Sequence, residues 1–279
     1  MSTKKQIARV FPTRTSLSPV DRHAYFGIPD LFTPLYDEAY ISVSFTWDIK
    51  KANWLKEQWE SHAETVKMGG PAIDGEPTNG FKAGVYLKKG VTITSRGCPN
   101  RCSWCFVNQD IVELEDFPEG NIVQDNNILA CSRNHLDKVF QMLSHQKQIS
   151  FSGGFESCKV SDQVVDKLRG LSIYQIWLAY DYPEAIMPLK KAVEKLRKYF
   201  RRDQIRCYVL IGYKEDSIPA ALGRLSQAWE LGTLPFAMRY RTPKTSWEDT
   251  YLFAGREWNL FTRKWTRPAI IKSRMSCVA

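Results

Sequence analysis

The sequence predicts an α/β fold of parallel βα units, on three observations. Short apolar runs alternate with amphipathic helical stretches from Val91 to Arg241. Each of the six apolar runs ends in polar or glycine-rich residues. Composition is ordinary for a globular chain: 43% of the 279 residues are hydrophobic and 25% charged, which excludes disordered and fibrous classes. A chain of this length buries a substantial core without disulfide staples.

The first segment, residues 1–90, reads as a small α/β layer. Strand-like runs are Ile7–Phe11, Ala39–Phe45 and Thr65–Met68. A helix is expected from Ile49 to Ser61, with Trp54, Leu55 and Trp59 at helical spacing. Gly69-Gly-Pro-Ala72 is a turn signal. A connection containing Gly and Pro, Asp74 to Gly90, then leads into the body, residues 91–241.

In the body, strands are expected at Val91–Thr94, Asn121–Gln124, Gln148–Ser152, Gln175–Ala179, Arg206–Ile211 and Leu234–Met238. Helices are expected at His135–Ser144, Ser161–Arg169, Met187–Phe200 and Ile218–Leu231, the third with Leu189, Ala192, Val193 and Leu196 on one face. Such alternation implies parallel βα units, arranged as an open sheet or a partial barrel. In both architectures chemistry sits at the carboxyl ends of the strands. Residues 242–279 form a basic, aromatic extension.

The 39 Lys and Arg against 30 Asp and Glu leave +9, which favours an anionic partner or simply a basic surface. No apolar run approaches the ~20 residues of a membrane span, and the N-terminus has no signal-peptide pattern. A cytoplasmic protein is expected, without a membrane partner. Three of the seven cysteines crowd into Cys98-Pro-Asn-Arg-Cys102-Ser-Trp-Cys105 directly after a strand. In a reducing compartment this suits a metal or cluster site better than a disulfide framework. Three thiolates on one tight loop suit a soft metal or an iron–sulfur cluster. Without a fourth local cysteine, one iron would keep an open position. A zinc knuckle would need a fourth ligand, for which Cys131 and His135 are the nearest candidates. Gly97 allows a tight turn, and Arg96 and Arg101 would offset the thiolates' charge. Cys158 lies just past a strand end, and Cys131, Cys207 and Cys277 are scattered.

This loop resembles the signature of the radical S-adenosylmethionine (SAM) superfamily, with Trp104 at the aromatic position before the last cysteine. The resemblance covers about Val91 to Arg241. It implies a partial (β/α)6 barrel and a [4Fe-4S] cluster on Cys98, Cys102 and Cys105, whose unique iron chelates SAM. It also implies reductive cleavage of SAM to methionine and a 5′-deoxyadenosyl radical that abstracts a hydrogen atom. The electron would come from a reductant such as flavodoxin or ferredoxin.

Asp125, Asn126 and Asn127 follow the second strand, where the superfamily holds the SAM amino group. The usual Gly-Gly-Glu is missing there, so this carry-over rests on position, and the alternative is an Asn-rich turn. Gly153 and Gly154 would admit the ribose or methionine part, and Glu156 a ribose hydroxyl, or these residues form a plain βα turn. Asp181 would face ribose or substrate, or cap a helix. Gly212 would let the adenine approach the fifth strand. Arg239 and Arg241 are candidates for an anionic substrate group.

The first segment, through Ile41–Asp48 and Gly69–Ala72, resembles the end of the cobalamin-binding Rossmann-like domain of one radical SAM branch. It is too short for that domain. Asp21-Arg-His23 echoes a cobalt-ligand motif, but Gly27 falls one place late, so cobalamin is not expected and a remnant capping the barrel is. In the extension, Trp247, Trp258 and Trp265 interleave with Arg256, Arg263, Lys264, Arg267, Lys272 and Arg274. That composition suits phosphate contacts with base stacking, or a basic lid. The expected substrate is a nucleotide or nucleic-acid base. Alternatives are a small metabolite or peptide, or a non-catalytic iron–sulfur or zinc protein that binds nucleic acid.

Overall fold

A computed structural model describes residues 5–74, 84–107, 110–242 and 255–276. Trp247 and Cys277 lie outside them. The chain divides into two compact units, with the division falling inside the strand at Val91–Thr92.

In the first unit, β1 (Ile7–Val10), β2 (Ala24–Tyr25), β3 (Tyr36–Ser42) and β4 (Ala63–Gly69) form a parallel sheet in the order β2-β1-β3-β4. The helix α1 (Ile49–Trp59) crosses from β3 to β4 and buries Ala52, Leu55 and Trp59, spaced at i, i+3 and i+7. The buried face therefore runs through Ala52, and Trp54 is 47% exposed rather than in the core. A single turn, α2 (Pro71–Asp74), follows β4. The two-residue β2 has no periodicity for sequence reasoning to detect. It pairs with β1 through Arg9 and Val10, and Arg9 also pairs with Asp21.

The second unit holds β5 (Val91–Thr92), β8 (Ile122–Val123), β9 (Ile149–Phe151), β10 (Ile173–Tyr180), β11 (Ile205–Ile211) and β12 (Leu234–Arg239) in one six-stranded sheet. Their spatial order follows the chain order without reversal, and the pairs from β8 to β12 are parallel. The intervening helices are α3 (Arg133–Ser144), α4 (Asp162–Arg169), α5 (Ile186–Leu196) and α6 (Ile218–Glu230). Ser132, Ser161 and Ser217 cap three of these by accepting the N–H three residues on, each worth about 1 kcal/mol. One apolar stripe per helix packs on the sheet: Val139 and Leu143, Val165 and Leu168, Leu189 and Leu196, Ala221 and Leu225.

Two features were not expected. An antiparallel ribbon, β6 (Ser95–Arg96) with β7 (Val112–Glu113), brackets the cysteine loop, so the loop returns beside its own entry before β8 begins. The extension does not stand apart from the body. Its helices, α7 (Arg256–Lys264) and α8 (Pro268–Ser276), bring Phe261, Trp265 and Ile271 into the main core.

In the first unit Glu38 accepts hydrogen bonds from Lys5, Tyr40 and Lys67, which hold its carboxyl down to about 2, Lys5 first. A depressed carboxyl contributes stability that is complete above its unfolded pKa and lost as pH falls through the folded one. Glu38→Gln should therefore lower the melting temperature at neutral pH. The gap from wild type should close as pH drops from about 4.3 towards 2, as a pH series of thermal melts would record.

Candidate active site

The cysteine loop is clamped by three consecutive side chains from the end of β8. Asp125 accepts from Thr94 N at 2.6 Å, Thr94 Oγ1 at 2.5 Å and Ser95 Oγ at 3.0 Å. Asn126 Oδ1 accepts from Gly97 N at 2.9 Å. Asn127 Nδ2 donates to Glu156 Oε2 at 2.7 Å and approaches Cys98 Sγ at 3.5 Å. Gly97 has φ +84°, a left-handed conformation that disfavours any side chain.

Asp125 is 1% exposed and does not line the cavity beside the cysteines. Burial pushes its carboxyl up, against the hydrogen bonds from Thr94 and Ser95. Its task is to fix the strand end that launches the loop, rather than to receive a ligand ammonium as expected. His135 Nε2 lies 3.1 Å from Thr94 Oγ1, and Cys131 is buried with a hydrogen bond to Ser95. Both candidates for a fourth zinc ligand are thus engaged with the same strand end.

Gly153 and Gly154 bring the end of β9 onto this clamp. A Cβ on Gly153 would lie 2.1 Å from Asp125 O, and one on Gly154 would lie 1.9 Å from Asn126 O. Protein backbone fills the space left by the missing side chains. Sequence reasoning reserved that space for a cofactor; the backbone occupies the Cβ positions, while Gly154 and Asn126 still line the cavity beside the cysteines.

Cys98, Cys102, Trp104, Asn127, Glu156 and Asp181 line one cavity of about 570 Å³. Burial pushes the Asp181 carboxyl up to about 6, opposed by a hydrogen bond from Trp104 and the charge of Arg224. Burial acts the same way on Glu156, but hydrogen bonds from Cys158, Asn127 and Asn100 outweigh it and hold that carboxyl below its usual range. Asn100, Cys158 and Tyr182 also line the cavity. Sequence reasoning flagged Cys158 only by its position after a strand and did not single out Asn100.

Aromatic rings also pin the loop. Trp104 packs against Tyr182 at 5.5 Å and Tyr213 at 5.9 Å between centroids, and Tyr213 Oη donates to Ser103 Oγ at 3.2 Å. The turn carrying Tyr213 is held by Asp216, which accepts from Gly212 N at 2.8 Å and pairs with Arg224 at 2.7 Å. A Cβ added to Gly212 would meet the Trp258 ring at 3.8 Å, ordinary contact, but φ there is +71°. Arg239 donates to Asn259 Oδ1 at 2.5 Å and Gly255 O at 3.3 Å. The structure thus uses Arg239 to seat α7, so it is not an open anion-binding group; Arg241, half-buried, follows β12.

The donor set fits an iron–sulfur cluster. All three thiols are free, and two sulfurs have N–H groups nearby: Asn127 Nδ2 at Cys98 and Val107 N, 3.4 Å away, at Cys105. Burial and the neighbouring Cys105, Asp181 and Cys98 push the Cys102 thiol up, so its ionisation calls for a bound cation. Among the described residues no three His, Cys, Asp or Glu side chains converge on a single-ion site. Asn127 is 3% exposed and its Oδ1 has no hydrogen-bond partner, leaving a buried acceptor at the cavity wall.

In the first unit, His23 is engaged through both ring nitrogens, with Tyr36 Oη at 3.1 Å and Arg22 Nε at 3.0 Å. The Gly27 carbonyl accepts from the Trp59 indole at 3.0 Å.

No protein-family model matches this chain, and no curated protein matches it. Among solved structures, it is similar to the radical SAM methyltransferase TsrM from Kitasatospora setae, whose structure has cobalamin and a [4Fe-4S] cluster bound. The TM-score is 0.57 at 9% identity, over 84% of this chain and 74% of that one. At this identity the likeness is one of fold alone, an α/β fold with parallel sheets. Among the described residues no helix is long and apolar enough to cross a membrane.

The clamp makes a specific demand on Gly154. Gly154→Ala should destabilise the second unit by about 1–3 kcal/mol, because the backbone of Asn126 cannot yield as a side-chain tip would. Gly170→Ala, whose Cβ would meet nothing closer than 3.6 Å, should leave stability near wild type. Urea unfolding of the two variants checks the contrast.

Proposed function

We propose that this protein is a radical SAM enzyme, with a [4Fe-4S] cluster on Cys98, Cys102 and Cys105 and SAM in the adjoining cavity. One observation carries the reading: two of the loop thiols, Cys98 and Cys102, share their cavity with the carboxylates of Glu156 and Asp181 and the unpartnered Oδ1 of Asn127. A purely structural or electron-transfer site needs no such cavity. When bound, the cluster and SAM supply reductive cleavage to methionine and a 5′-deoxyadenosyl radical for hydrogen abstraction.

The chain's own groups bind and orient. Asn127 Oδ1 and Glu156 are acceptors suited to a ligand ammonium. Asp181 suits a hydroxyl, and Trp104 and Tyr182, tilted 47° to each other, offer apolar ring surface to a planar group. The sheet supports the expected partial barrel. Right-handed crossovers between strands in unbroken chain order put the helices on one face, and the twist then curls the sheet. A cytoplasmic flavodoxin or ferredoxin is the proposed reductant.

After anaerobic reconstitution, SAM and dithionite should yield 5′-deoxyadenosine well above a Cys105→Ala control, measured by mass spectrometry. An intact cluster with no product, and no change in its EPR spectrum on adding SAM, would refute the reading.

For the substrate we infer a nucleotide or nucleic-acid base. The rings of Phe106, Tyr240, Tyr213 and Trp104 follow one another at 6.3, 4.7 and 5.9 Å, with Lys214 Nζ 5.2 Å from the Tyr213 ring. Flat faces beside a cation suit bases and phosphates. In the extension, Trp265 is 3% exposed and so offers no face for stacking. Phe106 is 62% exposed. Phe106→Ala should weaken binding of a labelled single-stranded oligonucleotide by about 1–3 kcal/mol. Affinity should also fall along a salt series, read by fluorescence anisotropy. Binding indifferent to both changes would exclude nucleic acid at this surface.

A further inference from the structure

The cavity contains a cysteine that the cluster does not use. Cys158 sits on a 3-10 turn, Ser157–Lys159, beyond β9 and lines the same cavity as Cys98 and Cys102. Its Sγ donates to Glu156 Oε1 at 2.9 Å. The other oxygen of Glu156 accepts from Asn127, whose amide nitrogen also approaches Cys98. One polar chain thus runs from a free thiol to the first cluster cysteine. Independently, the buried, unpartnered Oδ1 of Asn127 marks the same wall as a place where a ligand docks.

We propose that Cys158 is a hydrogen-atom donor, giving the hydrogen of its S–H bond to a carbon-centred radical formed in this cavity. The assignment rests on the radical SAM reading above. Among the exchangeable hydrogens of a protein, those of a thiol and of a tyrosine hydroxyl are the weakly held ones, and a thiol passes its hydrogen to an alkyl radical faster than a phenol such as Tyr182, which also lines the cavity. Alcohol O–H and amide N–H groups are poor donors to an alkyl radical. Of the other described cysteines, Cys98, Cys102 and Cys105 are committed to iron, and Cys131 and Cys207 are buried in the core.

In the step, the S–H bond breaks homolytically, a C–H bond forms, and the sulfur keeps the unpaired electron. One electron from a low-potential flavin or iron–sulfur protein and one proton from water restore the thiol. Glu156 governs access. A ligand ammonium that takes Glu156 and Asn127 Oδ1 as acceptors competes with the thiol for Oε1 and frees the S–H to turn into the cavity.

Without substrate, the radical to be quenched is at the 5′ carbon of the SAM fragment, which gives a direct assay. The reconstituted protein is exchanged into D2O and given SAM and dithionite, and the deuterium content of 5′-deoxyadenosine is measured. Wild type should transfer solvent deuterium. The product of Cys158→Ser, which keeps a donor to Glu156 but has no abstractable hydrogen, should carry none, and that of Cys158→Ala likewise. A second reading uses oxidised holoprotein with no reductant: SAM should slow alkylation of Cys158 by iodoacetamide, mapped by peptide mass spectrometry.

Deuterium undiminished in Cys158→Ser, or none in wild-type product, would each overturn the assignment while leaving the radical SAM reading intact, and alkylation indifferent to SAM would overturn both the assignment and the placing of SAM in this cavity. Absence of 5′-deoxyadenosine from wild type would overturn both.

Discussion

The buried carboxylate of Asp125 is the constraint on which the site depends. It gathers three donors from Thr94 and Ser95 and so ties the end of β8 to the strand that launches the cysteine loop. Leaving such donors unmet in a dry interior costs about 1–3 kcal/mol each. The next two side chains extend the tie, Asn126 to Gly97 and Asn127 towards Cys98. The close approach of Gly153 and Gly154 follows, because β9 can reach this register only where no Cβ intervenes.

Around that clamp, the βα alternation gathers loops at the carboxyl ends of the strands. Glu156 follows β9, Asp181 follows β10, Tyr213 follows β11 and Tyr240 follows β12. Each meets the cysteine loop or its cavity because parallel strands all deliver their ends to one rim. Electrostatics differ along the rim. Asp181 is desolvated and raised to about 6, while Glu156 is hydrogen-bonded and lowered, so both are charged at neutral pH and Asp181 takes up a proton first as pH falls.

Much of this was legible in the sequence. Apolar runs located the long strands β10 and β11, and helical spacing located α5, because these residues pack into a continuous core. The cysteine loop was legible from spacing alone. Features made by two distant segments were not. The phase of α1 shifted from Trp54 to Ala52 because the sheet selects which stripe is buried. The β6–β7 ribbon is two residues long on each side and has no pattern. Arg239 reads as a free cation until Asn259 is brought beside it by α7.

By itself, the sequence determined the α/β class, the order of strands and helices, and the clustering of three thiols on one turn. These depend on neighbours along the chain, where periodicity and spacing act directly. Tertiary structure alone decided that Asp125 is a buried hub and Asn127 carries the open acceptor, and that Trp265 packs inward while Cys158 enters the cavity. Asp, Asn, Trp and Cys can each be core, cap or ligand group. Only the partners that the fold brings within hydrogen-bond or packing distance select among those roles.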